Sequence, residues 1–306
     1  IGTPIIVTGV RDEVTAAPRG YYVRSAAVPI PQGITATAFA VADLSTGDVL
    51  LEEQGNVVLP IASISKLFTA LTALDHLDHY KELSISESAV DTEGVGGDLR
   101  VGDTLEVEEL VFPLLLESSN DAAMVFAEYT GEQRFINLMN AKVASIGLKQ
   151  TTFDDASGLS VGNTSTALDL IRLARSLYVT KQHLLGVTTL RTKILPASNT
   201  HHAYQWKNIS QFLDVPGHIG SKSGFTGAAG ETLVSVFELP MTEFEQRPIG
   251  IVLLGSTDRK KDADLIREYI SQSVFYTYLA NTKTSATGDN VSPEAASVLP
   301  IFQIED

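Results

Sequence analysis

In the stretch PIASISKLFTALTAL (Pro60–Leu74) a lysine, Lys66, follows two serines, Ser63 and Ser65, at the head of an apolar run. Serine attacks a carbonyl well only when a base takes its proton. A lysine can be that base only as a neutral amine, against an ordinary pKa of about 10.4. On a helix, residues i and i+3 share a face and sequence neighbours do not. Ser63 can therefore meet the Lys66 amine, whereas Ser65 cannot point the same way. If Lys66 is a base, Ser63 is its nucleophile.

Two further clusters could serve the same chemistry. Ser118-Ser119-Asn120 ends VFPLLLESSNDAA and sets a hydroxyl and an amide at a helix entrance among apolar residues. Lys222-Ser223-Gly224 lies in IGSKSGFTGAAG, where the glycine permits close approach of another backbone. Taken singly, each has a plainer reading. The serines and Asn120 suit helix caps, and the lysines suit solvated surface. Jointly, three polar clusters in the order Ser-x-x-Lys, Ser-x-Asn, Lys-Ser-Gly are hard to explain as caps and turns.

The elements that must position them follow from periodicity. ITATAFAVADLSTGDVLLEEQ shows two alternating runs around LSTGD, a hairpin signal. Ile64, Leu67, Leu71 and Leu74 are at helical spacing. ELSISESAV reads as a short strand, and Val107 to Leu148 as three helices. STALDLIRLARSLYV is a further helix with Ser165 or Thr166 as its cap. After Leu213 the period changes to two, and HIGSKSGFT, GETLVSVFEL and RPIGIVLLGS read as antiparallel strands. DADLIREYISQSVFYTYLA reads as a closing amphipathic helix. The expected fold class is α+β. An antiparallel sheet is built from N- and C-terminal strands with packed helices, and an all-helical subdomain is inserted at roughly 64–212. Residues 1–33, with four prolines, read as an extension, 34–280 as the catalytic domain, and 281–306 as a tail or linker.

Composition removes several function classes. Among 306 residues, 22 Lys+Arg face 37 Asp+Glu, a net charge of −15, which argues against nucleic acid. There is no cysteine, so thiolate chemistry and sulfur-ligated metals are excluded. No apolar run reaches the ~18 residues of a membrane helix. Asp75, His76, Asp78 and His79 have spacing that could bind zinc, but a solvated helix end is the favoured reading. Gly94 to Gly97 lacks the Gly-Lys-[Ser/Thr] of a phosphate cradle. His201-His202 has no place in this scheme.

The ordered set of motifs resembles the active-site serine penicillin-recognising enzymes. ADLSTGDVLLEE before LPIASISKLFTA, then ESSNDAA, SGLSVGNTSTALDLIRLA and GSKSGFTGAAGETLV are similar to the low-molecular-mass penicillin-binding proteins, the D-alanyl-D-alanine carboxypeptidases. The resemblance covers about residues 34 to 280 and implies catalytic Ser63, Lys66, Ser118 and Asn120. It assigns substrate binding to Lys222, Ser223, Gly224, Phe225, Thr226 and Arg259. Burial and the second cation, Lys222, would both lower the Lys66 pKa. Ser118 would relay a proton to the leaving amine, and Asn120 would hold the Lys66 amine or the substrate amide. The backbone N–H groups of Ser63 and Phe225 would bind the acyl oxyanion, and Ser223, Thr226 and Arg259 the terminal carboxylate, with Lys260 and Lys261 competing for Arg259's part.

The implied reaction is acyl transfer to Ser63 from the D-Ala-D-Ala end of a peptidoglycan stem peptide. No cofactor or metal is implied. β-Lactams would be covalent inhibitors, and the setting would be extracytoplasmic, at the periplasm or cell envelope on the outer face of the cytoplasmic membrane. Membrane attachment is expected only through a segment absent from this chain. Three alternatives stand beside this one. PIASISKLFTA looks at least as much like a DD-endopeptidase that cuts crosslinks. A β-lactamase would need a deacylating glutamate, and none occurs from Gln133 through Gly230, although Asp154, Asp155 and Asp169 do. A non-catalytic peptidoglycan-binding or penicillin-sensing module would not need every reactive side chain that is present.

Overall fold

The computed structural model describes residues 20–25, 28–241 and 245–278. In chain order, β1 (Gly20–Arg24), β2 (Ala38–Asp43), β3 (Val49–Glu53) and β4 (Leu59–Pro60) lead into α1 (Ser65–His76). The middle of the chain carries β5 (Glu82–Ser84), α2 (Glu87–Val90), β6 (Thr104–Glu106), α3 (Val107–Phe112), α4 (Asn120–Thr130) and α5 (Glu132–Ser145). It continues with β7 (Thr164–Ser165), α6 (Ala167–Thr180), α7 (Gln182–Val187), β8 (Thr192–Leu195) and β9 (Tyr204–Lys207). It closes with β10 (His218–Thr226), β11 (Gly230–Pro240), β12 (Gln246–Ser256), α8 (Arg259–Ser273) and β13 (Val274–Tyr278).

The central sheet has five strands in the order β10-β11-β12-β2-β3. The N-terminal hairpin joins the C-terminal meander where β12 runs antiparallel to β2, with Ile251 opposite Val41. That is the α+β layout read from the sequence. Every residue of β2 is buried, so its alternation does not divide core from solvent. It divides two cores. Ala38, Ala40 and Ala42 face the large helical core, and small side chains there let α6 lie close to β2 and β12. Phe39 and Val41 face the other core, where Ile266 and Ile270 of α8 cover the sheet. The inserted block is helical in its main elements and adds three short two-stranded ladders, β4-β7, β5-β6 and β8-β9. Thr166 is the cap of α6, accepting from Asp169 N.

The closing helix is shorter than its pattern suggests. It ends at Ser273, and Val274–Tyr278 is a strand that pairs with Gly20–Arg24. The aromatic and β-branched residues of VFYTY suit a strand once a partner is present. Tyr22, opposite Tyr276, is fully buried, and its hydroxyl donates to Asp43. Part of the stretch read as an extension therefore packs on the core. Residues 1–19 and 281–306, the rest of that extension and the tail, lie outside the described residues. Among the described residues no helix is long and apolar enough to cross a membrane.

Candidate active site

The turn that carries Ser63 comes first. Ala62–Ile64 form a single 3-10 turn directly before α1. Residues i and i+3 eclipse in that geometry, so the face argument for Ser63 and Lys66 holds although Ser63 precedes the α-helix. Ala62 has φ +50°, a left-handed value that costs a non-glycine residue free energy and clusters at functional sites. Lys66 is fully buried. Its Nζ lies 3.2 Å from Ser63 Oγ, 2.6 Å from Asn120 Oδ1 and 2.6 Å from Ser157 O. A neutral amine has two hydrogens and one lone pair. Its hydrogens fit the two oxygens at 2.6 Å, and its lone pair is then left for the Ser63 hydroxyl. After proton transfer, the ammonium finds three acceptors already in place.

Ser65 is turned away, as the spacing requires. Its Oγ donates to Ala62 O at 2.8 Å and accepts from Asn163 Nδ2 at 2.9 Å.

The second cluster sits where α3 passes through a π-helical turn, Pro113–Glu117, and stops at Ser118 with φ +66°. Such turns recur at functional sites because they re-aim the residue that follows. Ser119 caps α4, accepting from Ala122 N. That leaves Asn120 to reach inward. Its Oδ1 takes Lys66, and its Nδ2 donates to Glu93 O at 2.6 Å. The glycine loop Gly94–Gly97 lies over this corner, where a Cβ on Gly94 would be 2.6 Å from Asn120 Nδ2.

The third cluster is on β10, the edge strand of the central sheet. Lys222 is buried, and its Nζ donates to Ser118 Oγ at 2.9 Å and to Ser223 O at 2.8 Å. Gly224 brings the strand against the Ala62–Ile64 turn. A Cβ there would stand 2.7 Å from Ser63 N. Phe225 is exposed at the rim, and Ser223 and Thr226 are half-buried. Thr226 Oγ1 accepts from Ala229 N. Arg259, at the start of α8, donates from Nη1 to Gly224 O at 2.6 Å. Of the three competing cations only Arg259 reaches this strand. Lys260 pairs with Asp264, and Lys261 is exposed.

Burial lowers the Lys66 amine to about 7, with the charge of Asp155 acting in the opposite direction. The help expected from Lys222 falls on Lys222 instead. Its amine is pushed well below the ordinary value by burial, then by Lys66 and then by Arg259.

Three carboxylates were candidates for activating water, and each is engaged in a loop. Asp154 Oδ2 accepts from Ser160 Oγ, and Asp155 accepts from the backbone of residues 157, 158 and 160. Asp169 holds Lys149 N, Gln150 N and Arg172. Asp75 lies between Lys142 and Lys181, and His79 Nε2 donates to Leu74 O, so the acidic helix end is tied into neighbouring structure. His202 is placed beside Asp103, in the loop between β8 and β9.

Sequence reasoning missed Ser157, Gly158 and Asn163. Ser157 acts through a backbone carbonyl, which leaves no trace in residue type. Gly158 carried a signal, since its φ of +90° and a Cβ position 2.1 Å from Ala62 O leave room for glycine alone.

The family described as D-alanyl-D-alanine carboxypeptidase matches residues 24–255. A D-alanyl-D-alanine endopeptidase of Escherichia coli is 33% identical over 277 residues, 84% of each chain. The D-alanyl-D-alanine carboxypeptidase DacB2 of Mycobacterium tuberculosis is 34% identical over 214 residues, 68% of this chain and 72% of that one. The crystal structure of a D-alanyl-D-alanine carboxypeptidase from Mycobacterium tuberculosis superposes with a TM-score of 0.72 at 28% identity, covering 83% of this chain and 99% of the other.

Proposed function

We propose that this chain, which belongs to the D-alanyl-D-alanine carboxypeptidase family, hydrolyses the terminal D-Ala-D-Ala bond of peptidoglycan stem peptides through an acyl-enzyme on Ser63. The observation that carries this reading is the buried Lys66 amine, held between Asn120 Oδ1 and Ser157 O with Ser63 Oγ as its third neighbour. In the forward step the Ser63 hydroxyl gives its proton to Lys66 Nζ, and Oγ bonds to the penultimate D-Ala carbonyl carbon. The N–H groups of Ser63 and Phe225 take the oxyanion, each worth about 3 kcal/mol to the transition state. The Ser118 hydroxyl, held by Lys222, protonates the leaving amine and is reprotonated by the Lys66 ammonium, so D-alanine departs and Lys66 is neutral again. Water then attacks the ester, returning the Ser63 proton. Arg259, Ser223 and Thr226 hold the substrate's terminal carboxylate.

The same reading makes β-lactams covalent inhibitors and places the enzyme at the cell wall, outside the cytoplasmic membrane. The absence of any glutamate from Gln133 through Gly230 weighs against rapid deacylation, and hence against a β-lactamase. A crosslink-cutting DD-endopeptidase is the second reading, favoured by the 33% identity to a protein of that name. Incubation with a D-Ala-D-Ala pentapeptide and with crosslinked muropeptide dimers, read by mass, separates them. Loss of one D-alanine with intact dimers is expected. Dimers resolved with the pentapeptide intact would favour the endopeptidase. Neither product from folded protein would refute hydrolysis.

A further inference from the structure

The loop after Phe153 has a built centre that the reaction above does not use. The Asp155 carboxylate accepts from Ser157 N at 2.6 Å, Gly158 N at 2.5 Å and Ser157 Oγ at 3.0 Å through one oxygen. Its other oxygen accepts from Ser160 N at 2.5 Å. Three backbone donors on one side chain fold residues 155–160 into a tight knot. Asn163, fully buried, is a second fastener. Its Oδ1 accepts from Asp154 N and Asp155 N, and its Nδ2 donates to Asp155 O and Ser65 Oγ. One turn along α1 from Ser65, Thr69 Oγ1 donates to Ala156 O at 2.5 Å. The knot is thus strapped to the helix that carries Lys66. It sets Gly158 on the Ala62 backbone and Ser157 O on Lys66 Nζ at 2.6 Å.

We propose that Asp155 is a positioning residue for acylation, holding the Ser157 carbonyl on the Lys66 amine and supplying the negative charge that offsets its burial. The inference rests on Lys66 acting as the base for Ser63. Among the described residues the ammonium formed in that step has no salt-bridge partner within contact distance, so its support comes from three oxygens and from the charge behind one of them. From β10 it faces Lys222, with Arg259 of α8 behind, and the repulsion among these cations falls on the Lys222 amine. From α4 it meets neutral Asn120, followed by Asp121. The loop contributes Asp155, which favours the ammonium. Asp155 shares a small cavity with Asp154 and with Glu132 of α5. A water-activating role for Asp155 is the weaker reading, because four donors already occupy its two oxygens.

The test is the pH dependence of acylation by a fluorescent penicillin, from about pH 5 to about pH 9, for the full chain and for Asp155→Asn. Asn keeps the shape, loses the charge and leaves one accepting oxygen. The acid limb is expected to move down by about half a pH unit or more, because the ammonium loses its offsetting charge. The plateau is expected to fall about tenfold, because the Ser157 carbonyl is less well held. A plateau that falls while the limb stays within about 0.2 units would overturn the proposal and leave a merely structural role. Should Asp155→Asn fail to fold, Asp155→Glu carries the test. It keeps the charge, so its limb should match the wild type while its plateau drops, and an undiminished plateau would overturn the positioning role. Labelling retained in Ser63→Ala would defeat the functional reading instead, independently of Asp155.

Discussion

Replacing Gly224 by alanine tests the site at its narrowest point. The added carbon would lie 2.7 Å from Ser63 N, 2.7 Å from Thr232 Oγ1 and 2.9 Å from Ala62 Cβ. None of the three yields cheaply. Two belong to the turn that leads into α1, and Thr232 Oγ1 donates to Ile61 O at 3.0 Å. Carbon contacts settle near 3.5–4.0 Å, so strand and turn must part by about an ångström. Gly224 has no left-handed φ, so the demand here is for space and not for backbone freedom. That parting draws the Phe225 N–H away from the Ser63 N–H, the two proposed oxyanion donors. Loss of one such donor costs about 3 kcal/mol, or 10²–10³ in rate. Overpacking at a sheet edge costs about 1–3 kcal/mol of stability. Gly224→Ala should therefore acylate about 100- to 1000-fold more slowly with fluorescent penicillin, while its circular dichroism is kept and its Tm drops by several degrees. Acylation within about threefold of the wild type, in a folded variant, would refute the placement of the oxyanion between strand and turn.

Three further outcomes are expected. Wild-type acylation should fall about tenfold per pH unit below about 6 and level off above about 8. The base is neutral only above the Lys66 value of about 7, whereas an ordinary lysine would keep the rate rising to about 10. Ser63→Ala should abolish penicillin labelling, and Ser65→Ala should retain it with a slower rate, since Ser65 ties the nucleophile turn to Asn163. Asp121 is buried with one carboxyl oxygen unpartnered, and burial pushes it up to about 7. A carboxyl raised in the fold costs stability increasingly above its unfolded value, near 3.8, and in full above about 7. Asp121→Asn should thus raise Tm at about pH 8 and change it little near pH 4. A lower Tm at about pH 8 would count against this.

The sheet and the three motif positions were legible because both depend on residue type and period. The switch from period 3.6 to 2 after Leu213 marks the meander, and the spacing of Ser63 and Lys66 selects one serine over the other. What escaped depends on partners remote in sequence. IREYISQSVFYTYLA keeps apolar residues at helical spacing, and only pairing with Gly20–Arg24 turns its last part into a strand. The Asp155–Asn163 loop has no period. It is held by side-chain bonds to backbone, and its contribution to the site is a carbonyl that any residue could supply.

The two lysines illustrate how motif reading can bring residues together while placing part of the cause elsewhere. The sequence suggests that Lys222 is the cation that makes Lys66 a base. In the structure both amines are buried, and the repulsion between them bears on the less supported one. Lys66 has three acceptors and the Asp155 charge nearby. Lys222 has Ser118 Oγ and Ser223 O, and it faces two cations. A proton taken from Ser63 is therefore better held on Lys66 than on Lys222. The Lys222 amine donates to both Ser118 Oγ and Ser223 O, which leaves the Ser118 hydroxyl hydrogen free to turn toward a leaving amine. That orients the Ser118 oxygen for the leaving amine without placing a second charge in the site. Burial lowers the Lys66 amine, and in the proposed reaction Lys222 holds the Ser118 hydroxyl that would protonate the leaving amine.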